Sequence, residues 1–511
     1  MHKCNRICNV FSSDKTEVLY KNNISIAEVL YELAQQFPDS ILVWCEESQQ
    51  DQLNLEQINS YFQHSRMMIS YNPFENGFVS KKIGYVEDSP FISINRKVKY
   101  PTWQMSSIVG AIHGSVILDF KPTKCDFDFD YYINSVAKLG MPLGLWCYSA
   151  PKILNRFNIS QLKPSSDYKL FKFVKQHYKT RWSFLLFLNL IIYERRFLIL
   201  PLLCCFFYKK RKKEAFSLDF HQLDLSLEVM PKTIDVIIPT IGRKKPLYDF
   251  LKDLSQQTHL PKRVIIVEQN QVENSISELD YLETENWPFE IHHRFINQSG
   301  ACNARNIAMA SIKSSWVFLA DDDIRVENNF IFETFSQIEK IGADAVTLRC
   351  HLKNEKKIFS NIFQWNSFGS GCSFVKYENL KTLKFNLDYE FGFGEDSDFG
   401  MQLRNSGCDI LYLPEPSILH LKAAIGGFRT KPILRWQTEK IQPKPSPTIM
   451  IYMLKHFSKE QLLGYKTILF FKYFKHQSIK NPIFYYKFFK KQWTQSQFWA
   501  NEILSSDGKV V

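Results

Sequence analysis

The middle of the chain alternates short apolar runs with stretches of helical spacing. Three largely apolar segments have the length of buried strands: 234–240, 263–267 and 316–320. Residues 246–257 place apolar side chains on one helix face, and residues 301–312 form a second predicted helix that is rich in small residues. Strands that alternate with helices predict an α/β domain with a mostly parallel sheet.

A second apolar region, residues 182–208, lies nearer the N-terminus and contains charges. Glu194, Arg195 and Arg196 divide it into halves of about 12 residues, shorter than the roughly 18–20 that cross a bilayer. Crossing as one helix would bury those charges at a cost of about 2.5–3.5 kcal/mol each, so we expect no spanning helix. The segment is either a helical hairpin lying in one leaflet, with the basic run 209–213 at the headgroups, or a buried linker. The basic run favours the hairpin.

Length and composition indicate a globular protein of more than one domain. Its 511 residues are enough for two or three hydrophobic cores, and 45% hydrophobic with 23% charged residues is typical of globular chains. The eleven cysteines are scattered without a Cys-x-x-Cys pair, and residues 1–20 contain no continuous apolar stretch. We therefore expect a reducing compartment, no disulfide framework and no secretory signal.

Positive charge is concentrated in the C-terminal tail. Of the net charge of +12, residues 430–511 supply +10, with fourteen Lys or Arg against four acids. Aromatic residues alternate with these lysines, whereas a nucleic-acid-binding tail would be richer in Arg and poorer in aromatic residues. No nucleic-acid partner is therefore predicted. The tail fits either an anionic membrane surface or a helical annex whose lysine stems cover core surface.

Two acidic clusters follow predicted strands, where an α/β fold places its chemistry. The aspartate triplet 321–323 comes directly after the apolar run 316–320, and Glu395 with Asp396 lies in a stretch rich in glycine and phenylalanine. One cluster can hold a divalent cation through oxygen ligands, and the other can accept a proton. The two clusters together indicate metal-assisted group transfer from a phosphorylated donor.

Six short motifs, in one order, carry a resemblance to a known family. They are Ile238-Pro239-Thr240-Ile241-Gly242-Arg243, Ile265-Ile266-Val267-Glu268-Gln269-Asn270, Gly300-Ala301-Cys302-Asn303-Ala304-Arg305-Asn306, Phe318-Leu319-Ala320-Asp321-Asp322-Asp323, Gly394-Glu395-Asp396-Ser397-Asp398-Phe399 and His420. About residues 232–430 thereby resemble glycosyltransferase family 2. The resemblance implies a GT-A fold, a mostly parallel sheet flanked by helices. It also implies inverting transfer of a sugar, of hexosyltransferase type, from a nucleotide-diphosphate donor.

The resemblance also assigns a cation site. It implies that Asp323 ligates the metal, that Asp321 lies nearer the ribose of the donor, and that Asp322 belongs to the same donor-binding motif. His420 stands where family members have a second metal ligand. An imidazole ligand suits Mn²⁺ more readily than Mg²⁺. The alternatives are a solvated acidic loop for the triplet and a structural role for the histidine, and the other motifs disfavour both.

Asp396 is the predicted general base. Inverting transfer requires one carboxylate that deprotonates the acceptor hydroxyl on the face opposite the leaving group. Glu395 would orient the site or contact the acceptor, and its charge would raise the pKa of the base. The structural alternative is that Asp396 and Asp398 cap a helix over 399–404, and Asp398 is the better candidate for the cap.

A further group of residues is predicted to bind the nucleotide. It comprises Pro239, Thr240, Arg243, Glu268, Gln269, Arg305 and Arg429. Glu268 and Gln269 would contact the base edge or ribose hydroxyls, but they replace the paired aspartates common at this place, which leaves the identity of the nucleotide open. Arg305 either contacts phosphate or pins the preceding glycine turn. Arg429 lies in a glycine-containing loop that either closes over the diphosphate or is a plain turn.

The N-terminal part of the chain repeats some of these landmarks. The matched segments are 43–48 with 266–270, Trp103 with Trp365, 126–130 with 395–399, and Asn155 with His420. The first copy has no aspartate triplet. We therefore predict a duplicated α/β domain whose N-terminal copy has lost its metal site, the alternative being chance similarity between α/β elements.

These inferences predict four segments and one enzyme. The segments are a degenerate GT-A-like domain (1–180), an apolar and basic membrane-associated linker (181–231), the catalytic domain (232–430) and a basic aromatic helical tail (431–511). The predicted enzyme is a bacterial-type, metal-dependent transferase that extends a glycan or lipid-linked acceptor in surface polysaccharide synthesis, peripheral to the cytoplasmic face of the membrane. Its rivals are a sugar nucleotidyltransferase and a non-catalytic glycan-binding or scaffold protein.

Overall fold

The chain folds into two compact units. The computed structural model describes residues 6–12, 15–19, 25–74, 77–123, 126–157, 165–213, 232–423 and 432–505. Unit 1 comprises Met1–Leu227 and Phe457–Leu469, and unit 2 comprises Glu228–His456 and Phe470–Val511. The apolar segment that we expected as a linker therefore belongs to unit 1, and the C-terminal tail contributes residues to both units.

Unit 1 is built on a seven-stranded, largely antiparallel sheet. Its strands are β1 (Arg6–Ser12), β2 (Lys15–Leu19), β3 (Ile41–Glu46), β4 (Met67–Tyr71), β5 (Tyr100–Pro101), β6 (Val109–His113) and β7 (Trp146–Ser149). They lie in the order β2-β1-β3-β6-β4-β7-β5, and β4 and β7 are its parallel pair. The helices are α1 (Ile26–Gln36), α2 (Leu55–Tyr61), α3 (Gly114–Leu118), α4 (Phe129–Gly140), α5 (Asp167–His177), α6 (Arg181–Glu194) and α7 (Ile199–Cys205).

The apolar region 182–208 forms two short helices, as its internal charges predict. Helix α6 ends at Glu194, where Arg195 adopts the left-handed conformation with φ 54°, and α7 begins at Ile199. One side of each helix is buried in the core of unit 1, through Leu186 and Leu202 among others. Within the described part of the chain, no helix has both the length and the apolar character needed to cross a bilayer.

Unit 2 contains a nine-stranded sheet flanked by helices. Its strands are β8 (Ile234–Thr240), β9 (Arg263–Gln269), β10 (Glu290–Ile296), β11 (Trp316–Ala320), β12 (Ile324–Arg325), β13 (Ala345–His351), β14 (Phe363–Gln364), β15 (Cys372–Lys376) and β16 (Leu411–His420). The helices are α8 (Lys244–Ser255), α9 (Tyr281–Thr284), α10 (Ala301–Met309), α11 (Phe330–Ile341), α12 (Glu395–Asn405), α13 (Pro447–His456), α14 (Lys459–Phe474, of which unit 1 holds the part up to Leu469) and α15 (Pro482–Ser505).

The sheet of unit 2 confirms the predicted α/β class. Its order is β10-β9-β8-β11-β15-β13-β16-β12, with β14 paired to β16. Strands β10, β9, β8 and β11 are parallel, whereas β15 is antiparallel to both of its neighbours. Strands β9 and β11 are buried along their whole length, which explains why they read as continuous apolar runs. The parallel strands direct their carboxyl ends to one edge, where the aspartate triplet follows β11.

Five strands of unit 1 share their arrangement with five strands of unit 2. In unit 1 the order β3-β6-β4-β7, with β5 paired to β7, has the same strand directions as β11-β15-β13-β16 with β14 paired to β16. Backbone bonds agree as well: the Thr102 N–H donates to the Cys147 carbonyl, as the Trp365 N–H donates to that of Ile410. Among the described strands of unit 1, none corresponds to β8, β9 or β10.

This shared arrangement shows that one predicted pairing of landmarks, 43–48 with 266–270, is wrong. Strand β3 borders β6 as β11 borders β15, so Glu46 corresponds to Asp321 and not to Glu268. The match of 126–130 with 395–399 agrees with the structure, because Asp130 and Asp396 each accept a hydrogen bond from a serine N–H before the equivalent strand. An acidic residue that follows an apolar run gives the same sequence pattern on any strand. Only the strands that it pairs with distinguish one strand from another.

Candidate active site

The predicted site residues converge on one cavity in unit 2. A cavity of about 410 Å³ opens beyond the carboxyl ends of the parallel strands. Its lining includes Pro239, Thr240, Arg243, Gln269, Arg305, Asp321, Asp322, Asp323, Glu395, Asp396 and His420. Glu268 lines an adjoining cavity of about 210 Å³ that shares Thr240, Arg243 and Gln269 with the first. Arg429 lies outside the described residues.

Three side chains form a cluster with the geometry of a metal site. Potential ligand atoms of Asp321, Asp323 and His420 all lie within 4.8 Å of one another. The His420 Nε2 is 3.4 Å from Asp323 Oδ1. Two carboxylates and one imidazole form a donor set that fits a divalent cation. The structure thus brings Asp321, which we expected nearer the ribose, into the same cluster as the two predicted ligands.

The charges of this cluster stabilise one another. A hydrogen bond with Asp323 raises the pKa of His420 above its ordinary value. Burial alone would raise the pKa of Asp323, but its bonds with His420 and with the Ala423 N–H outweigh burial and leave the pKa lowered. Asp323 is therefore held as a carboxylate, the form in which it can bind a cation.

The central aspartate of the triplet is turned away from the cluster. The Thr240 hydroxyl donates to Asp322 Oδ2 at 2.7 Å, and Arg243 Nη1 donates to Oδ1 at 2.6 Å. The Nη1 atom of Arg243 also lies 3.2 Å from Oδ1 of Asp323. Burial raises the pKa of Asp322 to about 6, although Arg243 acts in the opposite direction. Thr240 and Arg243, predicted to line the nucleotide pocket, therefore also hold the triplet in place.

The predicted base and its neighbour lie in the first turn of α12. This helix begins at Glu395 after Gly394, whose φ of 111° favours glycine, so it starts earlier than the predicted 399–404. The Ser370 N–H donates to Asp396 Oδ1 at 3.3 Å. Burial raises the pKa of Asp396, and burial together with the charge of Asp396 raises the pKa of Glu395 to about 7. Both carboxyls therefore hold protons more tightly than ordinary ones.

The sequence predicts that Asp398 caps α12, but in the structure it does not. It anchors a helix from the C-terminal tail instead. Its Oδ1 accepts hydrogen bonds from His456 Nε2 at 2.7 Å and from the Tyr389 hydroxyl at 3.1 Å. His456 is the last residue of α13, and the Thr448 hydroxyl of the same helix accepts a bond from the Phe393 N–H at 3.0 Å. Helix α13 thus supports the segment that carries Glu395 and Asp396, a role that its charge pattern did not reveal.

Glu268 and Gln269 are engaged by the protein itself. Glu268 Oε2 accepts bonds from His293 Nε2 at 2.9 Å and from the Ser277 hydroxyl at 2.5 Å. Burial would raise the pKa of Glu268, but these bonds outweigh it and the pKa is lowered. Gln269 Oε1 accepts a bond from the Gly300 N–H at 2.6 Å. Both side chains therefore shape the loops beside the two cavities.

Two further residues, Arg305 and Glu390, line the main cavity. Arg305, which is buried, donates to Asp321 Oδ1 at 3.1 Å, so it contacts the triplet directly. Glu390 accepts bonds from the N–H groups of Cys302 and Asn303 in the first turn of α10. Its carboxylate fills the space where a side chain at position 300 would stand, which explains the glycine there. Glu390 belongs to none of the motifs, and no local pattern marked it.

Comparison with known proteins identifies the part of the chain that holds most of this cavity. A model of glycosyl transferase family 2 matches residues 235–392. Residues 235–392 are a family 2 glycosyltransferase domain. The matched part of the family 2 domain contains the triplet and Arg305, whereas Glu395, Asp396 and His420 lie just beyond it.

Two relatives show similarity over a limited part of their length. The chain is 25% identical over 117 residues to Glycosyltransferase GlyG of Streptococcus pneumoniae, which covers 23% of this chain and 38% of that protein. It is 31% identical over 90 residues to an uncharacterized glycosyltransferase of Haemophilus influenzae, covering 18% of this chain and 29% of that protein. The matched segments thus span well under half of either relative.

Solved structures show a weaker likeness. Residues 1–349 of S. aureus TarS in complex with UDP-GlcNAc align with a TM-score of 0.36 and 16% identity, over 52% of this chain and 79% of that one. GalNAc-T7 with UDP, GalNAc and Mn²⁺ aligns with a TM-score of 0.36 and 11% identity, over 55% and 58% of the two chains. Likeness at this level carries no conclusion about the substrate.

Proposed function

We propose that this chain is a metal-dependent, inverting glycosyltransferase. It would move a sugar from a nucleotide-diphosphate donor to a hydroxyl of a glycan or lipid-linked acceptor in surface polysaccharide synthesis. The observation that supports this most strongly is that the cluster of Asp321, Asp323 and His420 and the carboxylate of Asp396 line one cavity. A donor bound there can meet a cation at its diphosphate and a proton acceptor near its sugar.

Each group has a distinct task in the proposed reaction. Asp321, Asp323 and His420 would hold the cation, which when bound offsets the negative charge that grows on the departing diphosphate. Asp396 takes the proton of the acceptor hydroxyl as the oxygen of that hydroxyl bonds to the anomeric carbon. The bond from that carbon to the diphosphate oxygen breaks on the opposite face, so the configuration inverts. Glu395 and the buried Arg305 position the reacting groups.

Unit 1 has another role in this proposal. We infer that it is a partial repeat of unit 2 that binds no donor, because its described residues lack counterparts of the three parallel strands β8, β9 and β10. Ser48 follows β3 at the position that Asp323 takes after β11. A serine hydroxyl lacks the negative charge with which a carboxylate binds a cation at that place.

The proposed location is the cytoplasmic face of the membrane. The eight cysteines whose side chains the structure describes are all free, which fits a reducing compartment. A lipid-linked acceptor would be presented at that surface, and basic aromatic surfaces on the protein fit it.

A donor screen tests the proposed function against its rivals. The full chain is incubated with a panel of nucleotide sugars and Mn²⁺, with and without an extract of lipid-linked glycans, and a chelator serves as the control. We expect release of nucleoside diphosphate from one donor, abolished by the chelator. Pyrophosphate formation or consumption would instead support a sugar nucleotidyltransferase. Absence of turnover with every donor and acceptor would support a non-catalytic glycan-binding or scaffold protein.

A further inference from the structure

Helices α6 and α7 of unit 1 expose an unusual number of large apolar side chains. We call these side chains the hairpin patch: Phe184, Ile192, Phe197, Leu200, Leu203, Phe206 and Phe207. Phe207 is 88% exposed and Phe197 is 70% exposed, whereas large apolar side chains of soluble proteins usually face the core.

Two ring contacts tie members of the hairpin patch to helix α6, and the patch is distinct from the core-facing side of the same helices. The rings of Phe184 and Phe206 lie 5.4 Å apart, which joins α6 to the end of α7. Phe187 and Phe197 are also 5.4 Å apart, which joins α6 to the segment between the two helices. The opposite sides of both helices are packed in the core of unit 1, so the patch is not core surface left uncovered by a loose fit.

The basic residues that follow α7 fall into two groups, one paired within unit 1 and one exposed. Arg211 Nη2 pairs with the buried Asp126 at 2.6 Å, and Lys213 pairs with Asp119 at 2.8 Å, so these two cations are used within unit 1. Lys209, Lys210 and Lys212 are exposed, and none has an ion pair among the described residues. Three exposed cations therefore lie directly beside the aromatic end of the hairpin patch.

We propose that the hairpin patch and these three lysines bind the surface of an anionic lipid bilayer. An amphipathic helix lying in the interface combines apolar side chains at acyl depth with lysines at the headgroups. Helix α6 has 14 residues and α7 has 7, so neither is long enough to cross a bilayer and in this proposal both lie along its surface. The complementary partner is negatively charged on its surface and apolar beneath it, which describes such a bilayer.

Vesicle sedimentation with the full chain tests this proposal. The probes are vesicles of phosphatidylcholine alone and vesicles that also contain phosphatidylglycerol. The wild-type protein should sediment with the anionic vesicles at least tenfold better than with the neutral ones. The double variant Phe197→Ser, Phe207→Ser should lose at least tenfold in binding to the anionic vesicles. The double variant Lys209→Glu, Lys210→Glu should lose the preference for anionic lipid. Both variants change exposed residues, so their thermal unfolding should match that of the wild type.

One matched control variant and two outcomes that would contradict the proposal complete the test. Phe127 is 76% exposed in unit 1 but lies outside the hairpin patch, so Phe127→Ser should bind vesicles as the wild type does. Vesicle binding that persists in the hairpin variants but is lost in Phe484→Ser, an exposed residue of α15, would overturn the assignment. The assignment would also fail if the hairpin variants abolish a dimer in solution and leave lipid binding unchanged, because the patch would then contact a second copy of the chain.

Discussion

At the scale of single residues, the site depends on carboxyl groups that its surroundings hold in different protonation states. Asp323 is kept ionised by His420 and the Ala423 N–H, whereas burial favours the protonated forms of Asp396 and Glu395. A general base works best when its pKa lies near the working pH. In the proposed reaction, the cation ligand and the base therefore owe their different protonation to different neighbours.

The raised pKa values predict a pH dependence. Asp396 accepts a proton only as a carboxylate, so activity should fall as pH drops through its raised pKa, above the range of an ordinary aspartate. The charge of Asp396 helps to raise the pKa of Glu395 to about 7, so Asp396 ionises first and Glu395 is still neutral where Asp396 titrates. Glu395→Gln should therefore leave this acid limb in place. The measurement is the pH profile of kcat/KM at saturating Mn²⁺ for both proteins. An acid limb that moves in Glu395→Gln would show that Glu395, and not Asp396, is the carboxyl whose ionisation limits activity.

The sequence predicts which residues line the site better than it predicts their partners. Asp321, Asp323 and His420 lie in one cavity because they stand at strand ends on the same edge of the sheet. Asp396 joins them from the first turn of α12 and not from the end of a strand. The bonds from Thr240 and Arg243 to Asp322 join segments about 80 residues apart, and no local pattern encodes such a pairing.

At the scale of elements, α13 supports the segment that carries Glu395 and Asp396. His456 donates to Asp398 in α12, and Thr448 accepts from the Phe393 N–H two residues before the helix. His456→Ala should lower kcat on the order of tenfold, since small displacements of catalytic groups are costly. Donor affinity should stay within about twofold of the wild-type value, because the residues of the cation cluster belong to other elements, at the ends of β11 and β16. Calorimetric titration of the donor, alongside turnover, separates the two effects.

A histidine elsewhere in unit 2 provides the control for α13. His476 is exposed after the end of α14, so His476→Ala should leave both kcat and donor affinity unchanged. If His456→Ala weakened donor binding as much as turnover, the helix would act on the whole cavity and not on the segment that carries Asp396.

Elements were predicted well where burial dictates their sequence. Strands β8 and β11 match the predicted strands at both ends, because buried strands are largely apolar on both faces. The tail is predicted to be helical, but the contacts of α13 with α12 are not predicted, since they depend on single polar residues within a tail whose dominant signal is charge. The landmark 43–48 in unit 1 was matched to the wrong strand because strand identity depends on pairing.

At the scale of the whole molecule, two units share one five-strand arrangement but differ in chemistry. Within the described part of the chain, the cluster of Asp321, Asp323 and His420 is the one group that satisfies the geometry of a metal site. Unit 1 keeps Asp130 at the position of Asp396 but has no such cluster beside it. One donor site per chain is therefore expected, and it lies in unit 2.

The equivalence of these two aspartates allows the most direct test. Asp396 accepts from the Ser370 N–H at 3.3 Å, and Asp130 accepts from the Ser107 N–H at 2.9 Å, so an asparagine can keep the same bond in either unit. The measurement is the transfer rate and donor affinity of Asp396→Asn beside Asp130→Asn in the full chain. Asp396→Asn should lose about 10²- to 10⁴-fold in transfer with donor affinity nearly unchanged, whereas Asp130→Asn should match the wild type. Transfer that survives in Asp396→Asn, or falls no further than donor affinity does, would contradict the assignment of the base.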